Sequence, residues 1–279
     1  MSKRSSASVT KIISVPGRFN LEWRVIEEHG FPGSLQMALE EVIAEDVARG
    51  APALVRTFRW DPSTLSMGYG QDHSTVDRSF CATNGIEITR RQTGGGGIYH
   101  DHHADISYSI VLPATAVAGD LLTAYHTLCE PLISFFHSIG IDADYADSTY
   151  SSIYRPACFL RDIHPAHDLL VDGRKISGNA QYRQHDVVIQ HGSILFEGAT
   201  ADHLGVFDSP GVDGATFERR TTTIRDHVDI SREQAIGALT DALRDWSGGK
   251  VDDWSTDEVD RARALADTKY ADDEWLSRV

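Results

Sequence analysis

Lys175 is one of five lysines (with Lys3, Lys11, Lys250 and Lys269) in a 279-residue chain that otherwise draws its positive charge from arginine. It follows Arg174 and opens the run Lys175-Ile176-Ser177-Gly178-Asn179, inside a stretch, residues 171–197, that reads as a hairpin. Asp172-Gly173 is a two-residue reversal whose central positions tolerate positive φ. A second apolar run, residues 187–195, is bounded by Gly192 and Gly198 and has the length and β-branched content of another strand. A lysine leaving such a turn is either a solvated strand residue or an ammonium placed to act on an anion. A second stretch upstream bears on the choice. Arg90-Arg91-Gln92-Thr93 precedes four consecutive glycines, Gly94, Gly95, Gly96 and Gly97, and Ile98-Tyr99-His100-Asp101 follows them. Each glycine loses more backbone freedom on folding than any other residue, so such a run persists where something approaches the backbone closely. No Gly-Lys-Ser or Gly-Lys-Thr follows, and the dinucleotide spacing is absent. The run reads as an anion-binding cradle or as a flexible loop.

Together, Arg90-Arg91 with the glycine run and His100-Asp101, then Lys175-Ile176-Ser177-Gly178-Asn179-Ala180-Gln181, then His191-Gly192-Ser193, resemble the lipoate-protein ligase A family of the biotin/lipoate ligase superfamily. The likeness extends in weaker form from residues 35–41, through 59–68 and Gln71, to 269–275, and so covers nearly the whole chain. It implies an α+β catalytic domain, a mixed or antiparallel β-sheet flanked by helices. It also implies an enzyme that attaches a lipoyl or octanoyl group to a lysine of a lipoyl domain, in a 2-oxoacid dehydrogenase E2 protein or a glycine cleavage H protein. Free lipoate would be activated by ATP and Mg²⁺ as acyl-AMP, since a carboxylate is a poor electrophile. Lys175 would then touch the carboxylate and the α-phosphate and stabilise developing charge, while the acceptor's lysine is the nucleophile. Arg91 and the backbone of Gly94 to Gly97 would wrap the acyl chain and its activated end, with Tyr99 beside them. Ser177, Gly178 and Asn179 would hold nucleotide phosphate or place Mg²⁺, which arrives mainly on phosphate oxygens. His100, oriented by Asp101, and His191 with Ser193 would line the acyl pocket. His102 and His103 stand where the family tends to have Leu-Gly, and with Asp105 they read as loop residues. His100, His102 and His103 are too crowded for a ligand set, so no structural metal is expected.

One residue points elsewhere. Cys158, in Pro156-Ala157-Cys158-Phe159, resembles the nucleophilic cysteine of lipoate-family octanoyltransferases, which take octanoate from acyl carrier protein through a thioester without ATP. A thiolate is required, and His164, His167 or Lys175 are placed in sequence to favour one. The plain alternative is a small buried apolar residue. The glycine run and Lys175-Ile176-Ser177-Gly178-Asn179 lie closer to the ligase form, which is the expectation adopted, with Cys158 catalytic only in a transferase. A non-catalytic acyl-binding module is the alternative of another class, against which the cations Arg90, Arg91 and Lys175 argue.

Positioning these residues takes one domain. With 41% hydrophobic and 24% charged residues the chain has the composition of a soluble globular protein with an ample core. Its 41 acidic against 26 basic residues give a net charge of -15, which repels nucleic acid and acidic membranes and suits a high-salt interior. Cys81, Cys129 and Cys158 are odd in number without paired spacing, which indicates a reducing compartment and neither a disulfide framework nor a zinc site. No apolar run approaches membrane-spanning length and residues 1–10 lack a signal-peptide core, so a cytoplasmic protein is expected. Residues 1–10 read as disordered and 11–279 as a single catalytic domain, with no accessory domain evident; a separate polypeptide would supply one. Periodicity predicts an edge strand over 12–15, a Ser34-capped helix ending near Gly50, strands over 54–60 and 64–68, and a short helix over 75–84. Further on it predicts a strand over 106–112 and helices over 118–139, 231–246 and 257–270, while residues 202–207 and 221–224 read as loops and turns.

Overall fold

An antiparallel core strand, fed from both sides, organises the computed structural model, which describes residues 17–28, 30–117, 119–146, 158–160, 168–184 and 186–279. Expectations for residues 1–10 and 12–15, and for His164 and His167, fall outside these. The chain runs β1 (Trp23–Glu27), α1 (Gly33–Ala48), β2 (Ala53–Phe58), β3 (Thr64–Met67), α2 (Arg78–Thr83), β4 (Glu87–Arg90), β5 (Ile98–His100) and β6 (Asp105–Pro113). It continues through α3 (Leu121–Ser138), β7 (Asp144–Tyr145), β8 (Leu169–Val171), β9 (Arg174–Gln184), β10 (Val187–Leu195), α4 (Thr200–Gly205) and α5 (Gly214–Arg220). The last elements are α6 (Arg232–Ser247), β11 (Lys250–Val251), α7 (Thr256–Leu265) and α8 (Asp273–Leu276).

Among the described residues the main sheet has the order β11-β1-β2-β6-β10-β9-β8-β7, and a smaller one the order β4-β3-β5. Strand β1 runs parallel to β11 and β2, and the pairs from β2 to β7 are antiparallel, so the sheet is mixed, as expected of an α+β domain. Side chains alternate between the two faces. On one face Val55, Ile106, Tyr108, Ile110, Val188 and Ile194 meet Leu128, Leu132 and Phe136 of α3 and Leu239 and Leu243 of α6. Each such side chain fully buried stabilises the fold by roughly 1.5–3 kcal/mol. The other face carries Leu54, Val111 and Ile189 against Ile43 and Val47 of α1. Beyond them it turns polar, with Arg56, Asp105, Ser107, Ser109, His191 and Ser193 all buried. That polar end is the wall of the site.

The hairpin forms at Asp172-Gly173, both at positive φ (51° and 74°), and α3 stops at Gly140 (φ 83°). Helix α6 carries a capping box between Ser231 and Gln234 and ends on left-handed Gly248. Helix α1 corrects its expected Ser34 cap. Pro32 occupies the N-cap, and the carboxylate of Glu87, on β4, accepts from the N–H groups of Gly33 (2.8 Å) and Ser34 (2.9 Å). A distant acid thus supplies what a local serine supplies elsewhere. The loop expected over 202–207 contains α4, and the helix expected over 257–270 is α7 followed by a π-helical turn, Ala266–Tyr270. Strand β5 also escaped the pattern, being three residues long beside the glycines. No helix among the described residues is long and apolar enough to cross a membrane.

Candidate active site

Lys175 leaves the hairpin turn and is 1% exposed, an unusual fate for a lysine. A register shift between Leu169 and Leu170 puts an extra residue on β9, which breaks the alternation and brings Lys175 to the same side as Gly178. There its Nζ lies 2.7 Å from Asp168 Oδ2 and 3.2 Å from Cys158 Sγ, and 4.9 Å over the ring of Phe159. Burial alone would push the ammonium's pKa down, but Asp168 and the Cys158 sulfur outweigh it and hold it above the ordinary lysine value. The group stays charged. Gly178 leaves room for this contact, since a Cβ there would sit 3.0 Å from Cys158 Sγ and 3.2 Å from Lys175 Nζ and would crowd both. The glycine-rich loop reaches the same point, since Gly97 O accepts from the Cys158 N–H at 2.9 Å. The two distant segments therefore meet.

Behind this pair a narrow slot runs between the polar end of the main sheet and the small sheet. Met37, Phe58, Trp60 and Ile98 form its apolar side, and Ser66, Arg91, His100, Ser107, His191 and the β9 floor at Gly178 and Ala180 form the other. It encloses about 20 Å³, room for about one water molecule. Arg91, buried in the slot wall, donates from Nε to Thr93 Oγ1 (2.9 Å), from Nη1 to Ser66 O (2.7 Å), and from Nη2 to Gly94 O (2.8 Å) and Gly96 O (2.7 Å). The guanidinium is the staple of the glycine-rich loop, which needs Gly95 at φ 93° to make the turn.

Two histidines flank that staple. His100 stacks on Trp60 with ring centroids 4.0 Å apart, gives its Nδ1–H to Asp105 Oδ2 at 2.6 Å, and has Nε2 2.9 Å from Ser66 Oγ. Burial pushes its pKa below the ordinary histidine value in spite of Asp105, so the ring is neutral and Nε2 accepts from the serine hydroxyl. His191 gives its Nδ1–H to Glu40 Oε2 at 2.8 Å and has Nε2 2.7 Å from Thr93 Oγ1. Burial would raise Glu40, but His191 and Arg56 outweigh it and keep the carboxylate ionised.

The residues expected in the site divide accordingly. Lys175, Cys158, Gly97 and Gly178 come together at the mouth, and Arg91, His100 and His191 in the slot, with Ser193 bonding Asp105 Oδ1 at 2.7 Å. Gly94 and Gly95 are exposed on the loop's outer side. Three expectations are corrected by strand alternation. Ser177 and Asn179 point to the α3 side of the sheet, where Asn179 Oδ1 accepts from the Tyr108 hydroxyl at 2.7 Å. Tyr99 points away from its neighbours Ile98 and His100, against His203, and its hydroxyl donates to Asp101. His100 is oriented by Asp105 and not by Asp101, whose carboxylate accepts from Tyr99 and from the N–H groups of His103 and Ala104. Asp105, read as a loop residue, is a buried acceptor for His100, Ser107 and Ser193. Its signal was present in the alternation Asp105, Ser107, Ser109 against Ile106, Tyr108, Ile110, a polar stripe that resembles a solvated face. Asp168 and Glu40 had no such signal.

Residues 32–244 match the family model of the lipoyl protein ligase A/B catalytic domain. The octanoyltransferase LipM of Carboxydothermus hydrogenoformans is 31% identical over 272 residues, 92% of this chain and 98% of that protein. The LipM of Lysinibacillus sphaericus is 29% identical, over 91% of this chain and 98% of its own. Among solved structures, a lipoate-protein ligase A bound with ATP superposes with a TM-score of 0.78 at 25% identity, covering 93% of this chain and all of that one. A putative lipoate protein ligase of T. acidophilum with bound lipoic acid gives 0.76 at 24% identity, over 95% of this chain and 99% of that one.

Proposed function

The chain belongs to the lipoyl protein ligase A/B catalytic domain family, and from that premise we propose that it moves an octanoyl group from a carrier thioester to a lysine of a lipoyl-bearing protein, through Cys158. The observation that carries this reading is the 3.2 Å approach of Cys158 Sγ to a buried ammonium. Sulfur is the nucleophile in thioester exchange, and the ammonium beside it is placed to meet the negative charge that gathers as the carbonyl is attacked. The names of the similar octanoyltransferases support the same reading, and it reverses the order of preference expected from sequence.

The chemistry has two steps. The Cys158 sulfur attacks the thioester carbonyl, the new carbon–sulfur bond forms as the carrier's breaks, and the carrier's sulfur leaves with the proton that the Cys158 thiol gives up. The neutral amine of the acceptor lysine then attacks the octanoyl-Cys158 thioester, the amide bond forms as the carbon–sulfur bond breaks, and the proton lost by the amine returns to the Cys158 sulfur. In each step negative charge gathers on the carbonyl oxygen, and the Lys175 ammonium, held by Asp168, is the group placed to stabilise it. The acyl tail enters the slot by parting Met37, Phe58 and Trp60 from the floor, and methionine's unbranched chain adapts readily. The acceptors that fit are lipoyl domains of the E2 or H-protein kind.

A second reading, ATP-dependent ligation of free lipoate, is favoured by the superposition on the ATP-bound ligase. Against it, Ser177 and Asn179, the residues expected to hold phosphate or Mg²⁺, turn to the face opposite the slot. The variant Cys158→Ala separates the two. Transfer from octanoyl carrier protein to a lipoyl domain is expected to vanish, and no octanoyl adduct should appear on the protein by mass measurement. Full carrier-dependent transfer by C158A would overturn the proposal, and lipoate-plus-ATP activity in the parent and in C158A alike would install the ligase reading.

A further inference from the structure

Two chains of the same connectivity converge on one guanidinium. Asp105, His100 and Ser66 form the first, and Glu40, His191 and Thr93 the second. Arg91 closes both, with Nε on Thr93 Oγ1 at 2.9 Å and Nη1 on Ser66 Oγ at 3.3 Å. We propose that Asp105 and Glu40 are positioning residues for the glycine-rich loop, each acting through a histidine to hold a hydroxyl against Arg91.

The order of donors supports this. Each carboxylate accepts from Nδ1–H, and each Nε2 lies within hydrogen-bond distance of a hydroxyl whose oxygen accepts from Arg91; on the His100 side, where the ring is neutral, Nε2 is the acceptor for the serine proton. The negative charge of the two acids is thereby presented, one histidine removed, on both sides of a buried cation, in a medium where such chains polarise strongly. An acid–histidine–serine chain also has the connectivity of a hydrolase triad. Ser66, however, receives an N–H from Arg91, so the chain is built to hold and not to attack. What it holds is the loop, since the same guanidinium ties Gly94 O and Gly96 O, and the next carbonyl, Gly97 O, fixes the Cys158 backbone.

The consequence for catalysis rests on the acyl-transfer reading, whereas the consequence for loop order does not. Hydrogen–deuterium exchange on the full chain without substrate reads the second directly. In Asp105→Asn an amide N–H can face the ring, reverse the tautomer and put an N–H where Nε2 accepted, and Glu40→Gln removes the charge against which His191 is held. Exchange over residues 92–98 is expected to speed up at least tenfold, while α3 and α6 keep the parent's protection. Thr93→Val, which removes one hydroxyl and leaves both acids in place, is expected to do the same and carries the test if an acid variant fails to fold. In the transfer assay KM for the octanoyl donor should rise several-fold more than kcat falls. Parent-like protection of 92–98 in T93V and the acid variants would overturn the proposal, as would a uniform loss of protection throughout the chain. Loosening of the loop in a protein with no octanoyl transfer would leave it standing and remove the reading of function instead.

Discussion

An ammonium that is 1% exposed must be held by its neighbours, and Lys175 is held by the Asp168 carboxylate and by the sulfur and carbonyl oxygen of Cys158. Removing it tests that coupling from the sulfur's side. In Lys175→Met the rate of Cys158 alkylation by iodoacetamide at pH 7 should fall about tenfold, and arginine should not restore it, because a planar fork cannot occupy the position of a point charge. Equal rates in parent and variant would show the contact to be idle. His203 makes a second prediction at this scale. It lies among Tyr99, Phe159 and Phe217, where burial pushes its pKa down to about 4. The unfolded chain therefore binds the proton more tightly than the fold does. Stability is complete above the ordinary value near 6.5 and is lost as pH falls from there towards 4, by roughly 3 kcal/mol over the whole window. His100, also depressed by burial, acts in the same direction. Urea midpoints between pH 7 and pH 4.5 should fall less steeply in His203→Phe; an unchanged slope would place the acid sensitivity elsewhere.

At the scale of elements, two contacts join pieces that the chain separates. The Glu87 cap of α1 is worth about 1 kcal/mol by analogy with other N-caps. In Glu87→Ala the thermal midpoint should drop by a few degrees with the site's chemistry intact, and a Ser34→Ala change should do almost nothing, the reverse of what the sequence suggests. The bulge on β9 makes the other contact by setting Lys175 beside Gly178. Gly178→Ala would crowd both Sγ and Nζ, so acyl transfer should fall at least tenfold for a stability change of about 1–3 kcal/mol. Activity near that of the parent would mean that the lysine and the thiol need not touch.

For the molecule as a whole, charge is the dominant quantity. A net charge of -15 makes the fold repel itself at low ionic strength, and screening shortens that repulsion to about 3 Å in 1 M salt. Thermal midpoints should therefore rise steadily from dilute buffer to molar KCl; a flat profile would show that local ion pairs already offset the excess. The relay residues Glu40, His100, Asp105 and His191 are themselves buried, in a medium where hydrogen-bonded chains polarise strongly.

The sequence by itself determined what neighbours in the chain can enforce. The Asp172-Gly173 reversal, the glycine run and the helix over 231–246 are local chemistry, and the motifs in their order carried the resemblance that implied the α+β class and the candidates Lys175 and Cys158. Tertiary structure decided which of two alternating faces is the site. Alternation states that Ser177 and Asn179 oppose Gly178 and Ala180, but only the layers stacked on each side of the sheet make one face a core and the other a slot. The partners of the histidines were likewise beyond reach, since Thr93 and His191 are 98 residues apart and His191 and Glu40 are 151 apart. Pairings over such distances follow from the packing of α1 and the small sheet on the main one, and no spacing within the chain encodes them.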